Sequence, residues 1–593
     1  MKLFLAIVIG IGIIGCGFAV PLFKADQSKS GATFDEIQDQ IFNLGVKPQT
    51  RGLTCDLCKL LINGIRQLIA KNKTEEEIDK FVRNTCVNLQ IEQPYVCDKI
   101  IEEFGNEIYF AIEHSYLEPH EFCGAFIKEC GTYENPLNQP WPLTIPGNKP
   151  AVKPWPTVPD GKPKMRVLHL ADIHVDREYA IGSESLCSND EGFVYAFCCR
   201  DYPPDNSAGG KKADIKFPAP KWGIAENCDI PFITFDESMR LISLQEKFDY
   251  IIVTGDLESH AIWDYEKETT AANIANITAT LLKYFPGIPV YQAVGNHEGV
   301  PMDAFAPHSI PEYDTRGPQW LYTVLNDNWG HWIPDSVKES LQYRGSYSFH
   351  PFDNLKLISL NTVYCSHWNF YLFINATDPD LTLDWLAKEL LDSEQKGEKV
   401  HIISHIPSGD SYCLKSFSAN YYNLINRFEN TIAAQFFGHT HNDHFYMYFD
   451  DANPKNRPTH TAFVAPSLTT YSYLNPAYRV YTIDGNYPGS SFTVLDEENY
   501  WANLTEVNAN DKLEFKLEYN KRQDYNMKDL SPASHYDLLM RMVNDSALLD
   551  KYITHFYRNT KQVGECDPAC RKKFICDAMT GEAGKEDIFC AGL

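Results

Sequence analysis

From about Thr50 to Tyr133 the apolar residues recur at helical spacing. Leu57, Leu60, Leu61, Gly64, Ile65, Leu68 and Ile69 form one stripe, and Ile100, Ile101, Phe104, Ile108, Phe110 and Ala111 form another. The pattern predicts an all-helical unit of about 80 residues, too small to bury much core without cross-links. Residues 135 to 164 break every period: they hold nine prolines. Proline fixes φ and has no N–H, so this stretch is expected to be an extended, semi-rigid spacer. From Lys164 the pattern becomes α/β, with helical segments between short β-branched runs at Met165–Leu170, Tyr250–Thr254, Val290–Val294, Leu357–Leu360, Val400–Ser404 and Ala433–Phe437. After about Pro488 a strand-like stretch (Phe492–Tyr519) precedes a helical one opening at Ser531-Pro532, a cap followed by a first-turn proline. The expected layout is multidomain: a helical unit at 50–133, a linker at 134–164, an α/β domain at 165–490, and a mainly helical C-terminal region at 491–593.

The 593 residues are 44% apolar, which rules out a mainly disordered chain. The N-terminus reads Met1-Lys2, then an apolar run from Leu3 to Phe18, with small residues at Gly17 and Ala19. This predicts a secretory signal peptide at 1–19. The alternative, a membrane anchor, needs a run nearer ~20 residues. No later run reaches that length without charges, so no transmembrane segment is expected. Removal of Cys16 with the signal leaves sixteen of the 17 cysteines, an even number in an oxidising pathway, and eight disulfides are expected. Zinc fingers are the competing use of clustered cysteines, and the compartment disfavours them. Sequons at Asn72, Asn276, Asn375, Asn503 and Asn544 predict glycosylation and agree with that route. The net charge of −26 argues against a nucleic-acid partner, whose phosphates call for cations.

The candidate chemistry sits where the strands end. Asp172 and His174 follow the first run, Gly255-Asp256 the second, and Gly295-Asn296-His297-Glu298 the third; His405 follows Ser404, and Gly438-His439-Thr440-His441 follows Phe437. In an α/β sheet ligands bind beyond the carboxyl ends of strands, so these side chains should converge. A single buried histidine is more often a core residue than a ligand. Two carboxylates, four imidazoles and an amide at five strand ends are a different matter, because they are the usual ligands of zinc-like ions. Seven ligands are too many for one such ion and suit two that share a carboxylate. Two divalent cations against Asp172 and Asp256 leave a charge matched by a hydroxide and a phosphodiester. The constellation therefore predicts metal-assisted phosphoester hydrolysis.

These motifs, over roughly residues 164 to 445, resemble the calcineurin-like metallophosphoesterase signature. The six-cysteine unit resembles a saposin-type domain. Together with the linker and the cysteine-rich tail they resemble the acid sphingomyelinase family over nearly the whole chain, as does the block Gly255-Asp256, His260, Trp263. The resemblance implies a sandwich of two mixed sheets flanked by helices and a pair of Zn2+ ions. One would be held by Asp172, His174, Asp256 and His441, the other by Asp256, Asn296, His405 and His439. It implies that a hydroxide activated by the zinc pair attacks phosphorus, that His297 is the general acid, and that His260 is a second phosphate contact, against the alternative of an ordinary loop histidine. An imidazole of ordinary pKa, ~6.5, is mostly charged at about pH 5, which suits an acidic compartment.

The resemblance also implies the pairings Cys55–Cys130, Cys58–Cys123, Cys86–Cys97, Cys187–Cys198, Cys199–Cys228, Cys365–Cys413, Cys566–Cys570 and Cys576–Cys590, among which the sequence itself cannot choose. The implied reaction is hydrolysis of the membrane lipid sphingomyelin to ceramide and phosphocholine. The saposin-type unit would present the lipid, and the protein would be a lysosomal or secreted monomer. Two other readings compete: a soluble nucleotide phosphodiesterase of the sphingomyelinase-like type, and a lipid-binding protein without activity.

Overall fold

The computed structural model describes residues 54–593 except 90, 92–93, 187–196, 202–214, 451–456, 561–565 and 592. The signal peptide, its Cys16 and Cys187 lie outside the described residues. Contacts divide the chain into two compact units, one ending at Asn135 and one comprising most of the chain from Pro136 onward.

In the first unit, helices Cys55–Ala70, Glu75–Asn88, Pro94–His114 and Pro119–Gly124 form a small bundle. Thr54 caps the first helix through its side chain, and Thr74 with Glu77 forms a capping box on the second. The buried face of the first helix is Leu57, Cys58, Leu61, Ile62, Gly64, Ile65 and Leu68. Ile62 thus replaces Leu60 and Ile69 of the expected stripe, because the face follows the pairing of Cys58 and drifts with the 3.6-residue turn. Disulfides Cys55–Cys130, Cys58–Cys123 and Cys86–Cys97 nest around this core. Leu61, Ile62, Ile65, Val82, Ile108 and Phe122 line an apolar cavity inside it.

The second unit is built on two mixed six-stranded sheets. Its strands are β1 (Lys164–Leu170), β2 (Val175–Asp176), β3 (Ile230–Pro231), β4 (Tyr250–Val253), β5 (Val290–Gln292), β6 (Tyr347–Phe352), β7 (Leu355–Leu360), β8 (Lys399–Ser404), β9 (Ile432–Phe437), β10 (His444–Phe449), β11 (Pro458–Val464), β12 (Ala477–Asp484), β13 (Val494–Trp501) and β14 (Lys516–Asn520). One sheet has the order β14-β13-β12-β1-β4-β5, the other β10-β11-β9-β8-β7-β6, and β2 and β3 form a small ribbon. The parallel neighbours are β1, β4 and β5 in one sheet and β7, β8, β9 and β11 in the other. The sheets pack face to face. Tyr250 of β4 contacts His401 of β8 at 3.2 Å, and Phe436 of β9 packs on His169 of β1 and Tyr481 of β12. His169 and His401 are wholly buried histidines within β1 and β8.

Two expectations change. The proline-rich stretch is extended, with no helix or strand between Gly131 and Pro163, but it is not a free spacer. Leu137 and Trp141 are buried, Trp141 against Phe417. Asn420 donates to the Trp141 carbonyl (3.1 Å), Arg427 to those of Pro146 (2.6 Å) and Gly147 (2.9 Å), and Lys149 pairs with Glu429 (2.7 Å). A chain that cannot use its own backbone acceptors leaves them for neighbouring side chains. The break near residue 490 also fails to part the chain. β13 and β14 extend the sheet that begins at Lys164, because strand pairing recruits them, and the mainly helical region starts only at Lys521. Ser531 caps the helix Pro532–Asn544 as expected. Disulfides Cys199–Cys228, Cys365–Cys413, Cys566–Cys570 and Cys576–Cys590 are formed. Among the described residues no helix is long and apolar enough to cross a membrane.

Candidate metal centre

Five turns, each leaving the carboxyl end of a parallel strand, carry the expected ligands to one place. β1 delivers Asp172 and His174, β4 Asp256, β5 Asn296, β8 His405, and β9 His439 and His441. Asp172, His174, Asp256, His439 and His441 all have φ between 39° and 71°. Side chains other than glycine adopt this region at a cost, and strain of this kind persists where the surrounding structure enforces it. The glycines explain how the turns fit. A Cβ on Gly295 would strike the Asp256 carboxylate and backbone, and one on Gly438 would meet Asp172.

Among the described residues the donor atoms form three overlapping groups: two adjoining groups share Asp256, and His174, His260 and His297 make the third. Asp172, His174, Asp256 and His441 offer ligand atoms within 4.8 Å of one another, and Asp256, His405 and His439 do the same. Asp256 belongs to both. Its Oδ2 lies 3.4 Å from His174 Nε2 and 3.1 Å from His405 Nε2, while Oδ1 accepts the His297 N–H at 2.9 Å. Asn296 Oδ1 lies 2.9 Å from His405 Nε2 and 3.2 Å from His439 Nδ1. His441 Nε2 is 3.8 Å from Asp172 Oδ1. The rings are aimed from behind: His174 Nδ1 donates to the Glu258 carbonyl (2.5 Å) and His405 Nδ1 to that of Thr254 (2.6 Å), which turns both Nε2 atoms toward the centre.

The donor set fits divalent cations. Asp172 Oδ2 and His174 Nε2 are buried polar atoms without a hydrogen-bond partner, and such groups normally have one. The charges demand a cation as well. Burial, together with the Asp256 charge, pushes the Asp172 carboxyl up to about 7. Asp256 is held well below the carboxylate range: burial opposes its charge, but His405 and His297 outweigh it. Burial disfavours protons on His174 and His405, yet Asp256 raises both to about 9. A divalent metal meets that demand directly.

His260 and His297 stand beside the first group, the rings of His174, His260 and His297 lying within 5 Å of one another. His297 Nδ1 meets the Tyr265 hydroxyl at 2.6 Å, and that hydroxyl is also bonded to the Ser259 carbonyl. His260 is held by Asp229, which accepts its N–H (2.6 Å) and its Nδ1 (2.9 Å), and its ring stacks on Tyr471 at 3.9 Å. An imidazole of ordinary pKa would be mostly charged in an acidic compartment. Burial instead drives both histidines well below their ordinary pKa.

Several supporting residues were given no role by the sequence. Asp229 and Tyr265 lie in loops without a motif. Glu298, part of the Gly-Asn-His-Glu run, accepts the N–H groups of Gly295 (2.6 Å), Asp256 (3.2 Å) and Leu257 (2.6 Å), and so clips two strand-end turns together. Asp303 accepts from Asn296 Nδ2 (3.3 Å) and from the Tyr412 hydroxyl (2.9 Å), which directs Asn296 Oδ1 to the centre. Of the sequon asparagines, Asn72, Asn276 and Asn544 are exposed, and Asn375 and Asn503 are half-buried.

Two facing mixed sheets with this carboxylate–imidazole cluster at their strand ends define a calcineurin-like phosphoesterase that can hold a divalent metal, and the model for that family matches residues 165–443. Flanking matches are to the saposin-like type B region 1 at 53–90 and the acid sphingomyelin phosphodiesterase C-terminal region at 457–583. Sphingomyelin phosphodiesterase 2 of Caenorhabditis elegans is 49% identical, covering 92% of this chain and 90% of its own. Human sphingomyelin phosphodiesterase is 36% identical over 90% of this chain and 82% of its own. The human cyclic GMP-AMP phosphodiesterase SMPDL3A is 29% identical over 69% of this chain and 86% of its own. The chain belongs to the acid sphingomyelinase family.

Proposed function

We propose that this protein hydrolyses sphingomyelin to ceramide and phosphocholine. The observation that carries the reading is the position of Asp256 Oδ2, faced by an imidazole from each of two ligand groups. Two cations, zinc in this reading, would be held by Asp172, His174, Asp256 and His441 and by Asp256, Asn296, His405 and His439. When bound, such a pair lowers the pKa of water and neutralises charge on phosphoryl oxygens.

The chain's own residues do the rest. Asp256 and Asn296 fix the spacing of the two groups. His260, braced by Asp229, holds a phosphoryl oxygen. A water oxygen forms the new bond to phosphorus, and the bond from phosphorus to the ceramide oxygen breaks. His297, steadied at Nδ1 by Tyr265, takes up a proton from solvent at Nε2 and gives it to that departing oxygen, while the proton of the attacking water is released to solvent. The saposin-like unit, with its apolar cavity, supports a lipid substrate over a soluble diester. The disulfides fit a secretory protein, and we place it in the lysosome or outside the cell, with the five sequons glycosylated.

The test is product identification from sphingomyelin vesicles beside a cyclic dinucleotide. Ceramide and phosphocholine from the vesicles, with little turnover of the dinucleotide, is the expected result. The reverse preference would replace this reading with that of a soluble phosphodiesterase.

A further inference from the structure

The C-terminal region reaches the metal centre through one arginine. Arg558 follows the helix Ser546–Phe556, is wholly buried, and has φ 50°. Its guanidinium is devoted to a single residue. Nη1 bonds the Ser467 carbonyl and, at 3.0 Å, Ser467 Oγ, which Nη2 also reaches at 3.1 Å; Nε has no partner. A buried guanidinium normally faces a carboxylate. Among the described residues none is in hydrogen-bond contact with this one. Neighbouring side-chain amides pin the turn that carries it: Asn475 Nδ2 donates to the Arg558 carbonyl (3.1 Å), and Asn442 Nδ2 to that of Phe556 (3.2 Å).

Ser467 opens a turn that is wired to the site. Its N–H donates to the His441 carbonyl at 3.1 Å, and the Thr469 N–H donates to that of Asp172 at 3.0 Å. Ser467 Oγ bonds the Thr469 carbonyl (3.1 Å), and Thr469 Oγ1 donates to Asp229 Oδ1 at 2.6 Å. Asp229 in turn holds His260. We propose that Arg558 is a positioning residue for the reaction, setting the 467–470 turn and, through Thr469 and Asp229, the aim of His260. This rests on the phosphodiesterase reading above. It makes the C-terminal region part of the site's support rather than an appendage.

The test uses the full chain, metal-loaded, as wild type, Arg558→Gln, Arg558→Lys, Thr469→Val and the Gln/Val double variant. Four quantities are read: kcat and KM on a soluble chromogenic diester, affinity for inorganic phosphate, metal content and thermal midpoint. Arg558→Gln and Thr469→Val should each lower kcat about 10- to 100-fold, the range for removing a partner that orients a site group. KM should stay within about twofold. The double variant should be no worse in kcat than the poorer single one, while its losses in thermal midpoint add. Arg558→Lys, which keeps the charge and one donor, should recover most of the loss. Phosphate affinity should fall in parallel.

Normal kcat and phosphate affinity in Arg558→Gln at full metal content would overturn the inference, as would multiplicative kcat losses in the double variant. If Arg558→Gln does not fold, Arg558→Lys and Thr469→Val decide alone, and independent behaviour of the two rejects the route. A wild type that binds phosphate in an Arg558-dependent way but hydrolyses no diester would sink the enzymatic reading and leave this inference standing.

Discussion

The residue that bears most weight is Asp256. It is buried, it is shared by both ligand groups, and the histidines around it keep it ionised. Asp256→Ala should remove the shared ligand, drop the metal content and reduce turnover at least about 1,000-fold, the scale of losing a central electrostatic group. Metal analysis with a diester assay checks this, and normal values in both would refute the assignment. Asp229 makes a second test. With Asn in its place His260 keeps its ring but loses its carboxylate acceptor, so kcat should fall about 10- to 100-fold at unchanged metal content. An unchanged rate would mean that His260 needs no brace. The candidate ligands were legible in the sequence because each closely follows a short apolar run, so local spacing and strand-end chemistry coincide. Asp229, Thr469 and Arg558 were not. They lie on separate loops, and only the folded chain brings the 467–470 turn between Arg558 and Asp229.

At the scale of elements, β14 shows how a strand can carry a conditional charge. Glu518 accepts from Asn499 of β13 at 2.7 Å and from Asn559 at 2.6 Å, and burial beside Asp443 pushes its carboxyl up to about 8. An unfolded glutamate ionises near ~4.5, so between the two values the folded state holds the extra proton. Stability from this group is therefore lost as pH rises from about 4.5 through 8, and below that window it contributes no difference. Glu518→Gln removes the ionisation. It should stabilise the protein by about 1–2 kcal/mol at pH 8.5 and leave it unchanged at pH 4. The exposed Asn559 amide can turn to suit the new side chain. Urea unfolding at the two pH values measures this, and an equal effect at both would contradict it. β13 and β14 also show a limit of pattern reading. Alternation marked strands after residue 490, but which sheet they join is a matter of pairing, and they complete the one that begins at Lys164. The linker shows the same limit, since proline content predicted its extended form and could not reveal the side chains of Asn420 and Arg427 that fasten it.

At the scale of the whole molecule, two compact units are joined by a strapped chain. The helical unit has its own disulfides and core; its sequence showed the apolar stripes and the six cysteines, and the resemblance supplied their pairing. Deleting residues 50–133 should lower hydrolysis of vesicle sphingomyelin at least tenfold more than hydrolysis of a soluble diester, because in the proposed reading the unit presents lipid and takes no part in the chemistry. Equal losses on both substrates would make the unit a stabiliser only. The α/β class and the convergence of the strand ends were readable from periodicity and spacing, whereas the sandwich of two mixed sheets came from the family resemblance. The strained backbone at Asp172, His174, Asp256, His439 and His441 was not: Asp and His adopt positive φ more often than most side chains, but that preference does not say at which positions they do so. The site is imposed by the assembled sheets.

The most direct test is anomalous diffraction at the zinc edge from crystals of the purified protein. Two peaks about 3.5–4 Å apart, on either side of the Asp256 carboxylate and each ~2.0–2.2 Å from its nitrogen and oxygen ligands, are the expected result. A protein that hydrolyses phosphodiesters with no peak there, or with one that Asp256 does not touch, would contradict the account.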